Sequence, residues 1–161
     1  MAIGNDGKKK DQSLDGYKSQ KLPTTGVEVK IREALLDSMN YYQFDAHDIN
    51  KVAKFTFHIE ENGFLNLEGR NKKSNNPPTE DPQFVEKAQF AIEYKLFHDH
   101  IGIPFYQVSP SGDLTSDYVL QYSYDQQKGY VDIINVEYHP LVLPSKEDLE
   151  SEHIENPFKE N

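Results

Sequence analysis

The sequence predicts an α+β domain: one N-terminal helix packed on an antiparallel sheet of about six strands connected mainly by hairpins. An all-β sandwich is the runner-up. Three observations carry the prediction. Tyr118, Leu120, Tyr122 and Tyr124 recur at every second position, the period of a strand with one apolar face, and Ile134, Val136 and Tyr138 continue it in a second arm. Residues 55–69, FTFHIEENGFLNLEG, repeat that grammar around an Asn62-Gly63 turn. Val27, Ile31, Ala34, Leu35, Met39 and Tyr42 fall on one face of a helix.

Taken in order, residues 1–23 are rich in Gly, Lys, Asp, Ser and Gln without periodicity, as a flexible N-terminal arm would be. The globular domain is expected over 24–143. Thr25-Gly26-Val27-Glu28 has the form of a capping box and starts a helix over 27–42. The alternation of β-branched Val27, Val29 and Ile31 makes a strand over its first turn the alternative. In 55–69 a Glu61-Asn62-Gly63 loop sets Ile59 against Leu65 and Phe57 against Leu67. Residues 70–82, RNKKSNNPPTEDP, read as a loop.

Residues 83–97 read two ways. Asp81-Pro82 suits a helix start, whereas the alternation of Phe90, Ile92, Tyr94 and Leu96 gives a strand over 88–97, the reading preferred here. A Gly102 turn and a returning strand through Ile103, Phe105 and Val108 follow, with Pro104 on an edge. In the hairpin of 118–138 a three-residue loop, Gln127-Lys128-Gly129, pairs Tyr122 with Ile134 and Leu120 with Val136. A four-residue loop would oppose apolar and polar faces. Residues 144–161 hold six acids and two lysines and read as an acidic C-terminal tail or a short terminal helix.

Composition narrows the functional classes. The chain has 161 residues, 36% hydrophobic and 12% aromatic, enough for one core. A net charge of −10 argues against a broad phosphate-binding surface. The absence of cysteine excludes disulfides, thiolate nucleophiles and Cys-based metal sites. No apolar run approaches the ~18 residues of a membrane span, and the polar stretch after Lys8-Lys9-Lys10 is no signal sequence. A soluble, cytoplasmic protein without membrane contact is the expectation.

Several motifs invite chemistry. His98-Asp99-His100 has the H-x-H spacing found in metal sites, and Asp45-Ala46-His47-Asp48 could add ligands, so His47, His98 and His100 form a candidate divalent-metal cluster. The H-x-H resembles that of cupins. Ile92 stands where a cupin Gly belongs, and Ile103-Pro104-Phe105 where its Glu belongs, so the pair is expected in a polar turn. His58-Ile59-Glu60 and His153-Ile154-Glu155 resemble the H-x-E of zinc deaminases but lack the cysteines. Leu22-Pro23-Thr24-Thr25-Gly26 resembles a sortase signal, with a whole domain where an apolar span belongs. No other catalytic signature is present, and a non-enzymatic role is expected.

Five of the ten tyrosines lie in 118–138. Tyr122 reads as core; Tyr118, Tyr130 and Tyr138 are the candidate binding residues, since tyrosine joins contact area to a polar tip. Ile154-Glu155-Asn156-Pro157-Phe158 resembles the acidic tip of single-stranded-DNA-binding proteins, although Lys159-Glu160-Asn161 follow the Phe. The order of elements is broadly similar to SecB-type export chaperones, which implies peptide binding. The leading expectation is an interaction protein that binds another polypeptide, or a second copy of itself, through an aromatic sheet. A single-stranded nucleic-acid binder, a SecB-like chaperone and a metal-dependent activity are the alternatives.

Overall fold

The computed structural model describes residues 21–77, 80–140 and 142–159. Most of the expected arm, residues 1–20, lies outside the described residues. The fold is α+β. Its strands, with their residue ranges, are β1 Glu28–Arg32, β2 Asn71–Lys73, β3 Leu96–Ile103, β4 Gln107–Val108, β5 Leu114–Thr115, β6 Tyr118–Asp125, β7 Tyr130–Tyr138 and β8 His153–Ile154. The helices are α1 Glu33–Tyr41, α2 Ala46–Asn62, α3 Phe84–Glu93 and α4 Lys146–Glu150. Six strands form one sheet in the order β2-β3-β6-β7-β1-β8, while β4 and β5 pair beside it. The sheet is mixed, because β1 runs parallel to β7 and every other pair is antiparallel.

Four helices among the described residues replace the single one expected, and each has a local cause. In 27–42 the β-branched alternation wins for the first five residues. Val29 and Ile31 enter the sheet as β1, and the helix begins only at Glu33, burying Ala34, Leu35 and Met39. Residues 55–69 are not a hairpin. Asp45 caps α2 by accepting from the Asp48 amide, Asp48 returns the bond, and Val52, Phe55, Thr56 and Ile59 then share one buried helical face. Gly63 ends that helix at a φ of 61°, with its backbone against the carbonyls of Pro23 and Thr25.

The strand expected over 88–97 is also corrected. Asp81 Oδ1 accepts from the Gln83 amide at 2.8 Å and starts α3, which buries Ala91 and packs Phe90 and Tyr94. Lys95, at a φ of 53°, reverses the chain, and β3 starts at Leu96. His98 and His100 therefore lie within a fully buried strand and not in a turn. Phe105 is exposed, and Val108 belongs to the small side sheet.

The hairpin of 118–138 forms with a different loop. Asp125 pairs with Tyr130, leaving the four residues 126–129 as the turn, with Gly129 in the left-handed region at 77°. A β-bulge repairs the parity that such a loop would spoil. Leu120 faces Val136 as expected, but Tyr122 faces Ile133, and Ile134 is the extra residue. The bulge keeps Val136 on the face of Ile133, where strict alternation would put it with Ile134. Ile133 joins Ile31, Phe97, Leu120, Tyr122 and the α1 and α2 side chains; Ile134 joins Ala91, Leu96 and Leu149 beneath α3 and α4. Both faces of the sheet are covered.

The described part of the expected tail, residues 144–159, takes part in the fold. Ser145 caps α4, β8 pairs with β1, and Phe158 packs against the larger core. Asp132 ties this end down, accepting from Arg32 Nη2 at 2.9 Å while its other oxygen lies 3.1 Å from His153 Nε2.

Tyr122 is wholly buried, stacked on Phe97 with centroids 5.4 Å apart and on Phe64 at 5.2 Å, and its hydroxyl donates to Asn71 Oδ1 at 2.7 Å. Tyr122→Ala is expected to destabilise the fold by about 3–5 kcal/mol in urea melts.

Candidate functional site

Strand alternation on β3 directs Leu96, His98 and His100 to the face beneath α3, and Phe97, Asp99 and Ile101 to the face beneath α2. Each face ends in a cavity. The first, of about 440 Å³, is walled by His98, His100 and His139 and carries Arg70, Lys72 and Lys87. Lys72 stands directly across the ladder from His98, so its side chain shares that face. His139 follows β7, and its ring centroid is 5.4 Å from that of His100. A second depression of about 350 Å³ shares Arg70, His100 and His139 with the first.

The hydrogen bonds fix how the two strand histidines face the cavity. His98 is 8% exposed and His100 is 2% exposed. The Ser74 hydroxyl lies 2.9 Å from His98 Nδ1, its one side-chain partner, and can serve either tautomer of that ring. His100 Nδ1 lies 2.9 Å from the Ser116 amide nitrogen and 3.0 Å from its carbonyl; the directional amide hydrogen points at the ring, so Nδ1 accepts. The His100 ring then carries its proton on Nε2. Neither Nε2 has a partner among the described residues. Neither is sealed, since Gln121 Oε1 is the fully enclosed, unpaired side-chain atom. Burial, then the positive charges of His100, His139, Lys72 and Arg70, push His98 down to about 3. Burial lowers His100 as well.

The second cavity, of about 330 Å³, opens between α2 and β3 and is lined by Lys51, Lys54, His58, Glu68, Asp99 and Tyr106 among others. Asp99 is 2% exposed, and its one hydrogen bond is from Asn71 Nδ2 at 3.1 Å. Burial raises its carboxyl well above the usual carboxylate range, with the Asn71 bond opposing. The Tyr106 hydroxyl is raised too, first by burial and then by Asp99 and Glu68. A neutral carboxyl here donates a proton to whatever hydrogen-bond acceptor enters.

The expected residues separate into three places. His98 and His100 converge, but with His139 and not with His47. His47 sits at the start of α2 with Asp45 and Asp48, the one group of three among the described residues whose ligand atoms all lie within 4.8 Å of one another. Those two carboxylates already serve the helix cap. Tyr118 and Tyr138 pair across β6 and β7 with ring centroids 5.3 Å apart. Tyr130 is at the other end of β7, its ring under Lys30 Nζ at 4.2 Å and beside His153.

Around Tyr118 and Tyr138 the fold assembles rings that sequence reading did not group. Tyr42 and Phe44 meet Tyr118 at 5.0 and 5.1 Å, and Tyr41 meets Tyr42 at 5.1 Å. Tyr41 is 79% exposed and Tyr138 50%. Because Ile103 pairs with Tyr118, exposed Phe105 and Val108 belong to the same end of the sheet. Tyr42 donates to Glu137 Oε2 at 2.8 Å, and burial with that acid pushes its hydroxyl up to about 12. Asp117 and Asp48 act on Tyr118 from the same neighbourhood.

Comparison with protein-family models, curated proteins and solved structures finds no match for this chain. Among the described residues no helix is long and apolar enough to cross a membrane.

Two pH dependences follow, of opposite sign. His98 titrates near 6.5 when unfolded and near 3 when folded, so the unfolded chain binds the extra proton between those values. Stability is full above the upper value and falls as pH drops through the window. His98→Gln is expected to remove up to about 1.4 kcal/mol per pH unit of that slope in urea melts. Asp99 is raised from 3.8, so its contribution is favourable in acid and is lost as pH rises through and above that value. Asp99→Asn is expected to be more stable than the parent at about pH 8, with the difference shrinking toward about pH 4 in the same melts.

Proposed function

We propose that this is a non-enzymatic binding protein whose partner is a basic polypeptide, held at the aromatic end of the sheet. The observation that carries the reading is the group Tyr41, Tyr42, Phe44, Tyr118 and Tyr138, joined by edge contacts with Phe44 stacked on Tyr42, and open to solvent at Tyr41 and Tyr138. Large aromatic side chains lose little rotamer entropy on docking and dominate interface energetics. Helices cover both sheet faces, so a partner meets the sheet at its end. The edge strands give little to pair with: β8 has two residues and β2 three, two of them lysines.

Charge selects the partner. Asp48, Asp117 and Glu137 border the aromatic group, and the whole chain carries −10. Lysine or arginine side chains would find ring faces for cation–π contact and carboxylates beside them. Acidic repulsion would turn away an acidic chain.

Titration with a Lys/Arg-rich peptide, followed by tyrosine fluorescence, is expected to saturate, and an acidic peptide of equal length to leave the signal unchanged. Changing Tyr41 and Tyr138 together to Ser should weaken binding at least about tenfold with the fold intact. Tyr130→Ala should bind like the parent. Equal binding by the double variant would remove the aromatic end from the reading.

A further inference from the structure

We propose that the cavity between His98, His100 and His139 is a binding site for a compact, multiply charged oxyanion of the phosphate-monoester class. The site is independent of the aromatic end: it lies on the α3 face of the sheet and uses none of its tyrosines.

Three structural facts converge on this ligand. First, two deeply buried imidazoles have their Nδ1 atoms committed to Ser74 and Ser116, which leaves each Nε2 without a partner among the described residues; on His100 it carries the proton, and on His98 it does so whenever the Ser74 hydroxyl donates. On His100 the proton occupies the lone pair that a metal would need, so the arrangement suits an acceptor ligand. Second, the lining sets Arg70, Lys72, Lys73 and Lys87 against one acid, Glu80, in a chain of strongly acidic balance. The Lys72 ammonium makes no ion pair among the described residues, and Arg70, although held by Asp113, faces the same space. Third, the chain is anchored so that the donors stay put. Arg70 donates to Asp113 through Nε at 2.5 Å and Nη2 at 2.7 Å, and its backbone carbonyl accepts from the His100 amide at 2.9 Å. Ser116 Oγ, next to the His100 ring, donates to the Tyr118 carbonyl.

Pre-set N–H donors and cations around an enclosed space bind oxyanions well, because the donors need no rearrangement and charge-assisted bonds are stronger than neutral ones. At about 440 Å³ the cavity takes a phosphoryl group with a small organic substituent. A polynucleotide would need a basic track along the surface, which Glu80 and the surrounding acids interrupt.

The test follows the six histidine Cε1–H resonances by NMR while inorganic phosphate is added at constant ionic strength, with chloride as the control salt. Saturable shifts confined to His98, His100 and His139 are expected. Lys72→Ala and His139→Ala change exposed side chains and preserve the core, and each should weaken phosphate binding about tenfold, the loss of one charge-assisted bond. His47→Ala should leave it unchanged. Small linear shifts at all six histidines, as with chloride, would overturn the site. Two other results would reassign it: Zn²⁺ shifting the three resonances where phosphate does not, or an oligothymidylate binding there more tightly than a phosphate monoester. None of these readouts depends on peptide binding, so the two proposals stand or fall separately.

Discussion

Everything in this fold depends on one surplus residue in β7. The chain must line two cores with this one strand, and strict alternation would carry Val136 to the face of Ile134. Inserting Ile134 opposite nothing breaks the period once, so Val136 returns to the face of Val131 and Ile133 in the core beneath α2, while Ile134 lies in the one beneath α4. The same offset places Asn135 across from Gln121 on the second face, where Gln121 Nε2 donates to Asn135 Oδ1 at 3.0 Å and Asn135 Nδ2 to Asp148 at 2.8 Å. That polar row continues through His98 to Lys72. The histidine cavity is thus the open end of a buried polar line laid across the sheet.

Much of this was legible where a period was long and unopposed. The alternation of 118–124 located β6, and the Leu120–Val136 pairing came out as expected because the extra residue of the bulge offsets the turn being one residue longer than the expected loop. Beyond the bulge, Ile133 and Ile134 are adjacent, similar residues, and nothing local says which of them is extra. The α2 segment misled for a different reason. Phe55, Phe57 and Ile59 alternate by coincidence, and the deciding signal, Asp45 with Asp48, lies ten residues upstream of the apparent strand. In 83–97 the local start signal at Asp81 was correct and the alternation was not, since Tyr94 and Lys95 already form the exit from the helix.

The site was less legible than the fold, because its members come from four separate stretches. His98 and His100 announced themselves by spacing. His139 is a lone histidine beyond the end of a strand, and Lys72 sits in a segment that reads as loop; only the ladder places it opposite His98. The tyrosines behaved similarly. Tyr118 and Tyr138 were recoverable from hairpin register, whereas Tyr41, Tyr42 and Phe44 reach them through the turn of α1.

The position of β1 has a kinetic meaning. It is sandwiched between β7 and β8, and its Arg32 finds Asp132 at a separation of 100 residues. During synthesis β1 precedes both of its neighbours and must wait, both edges unpaired, until β7 and β8 are made. Such non-local closure slows folding and exposes a sticky edge in the interval. Of its five residues, three are charged, Glu28, Lys30 and Arg32, and they alternate with Val29 and Ile31. Those charges serve the finished sheet, and they also keep the waiting strand from pairing with its like on another nascent chain.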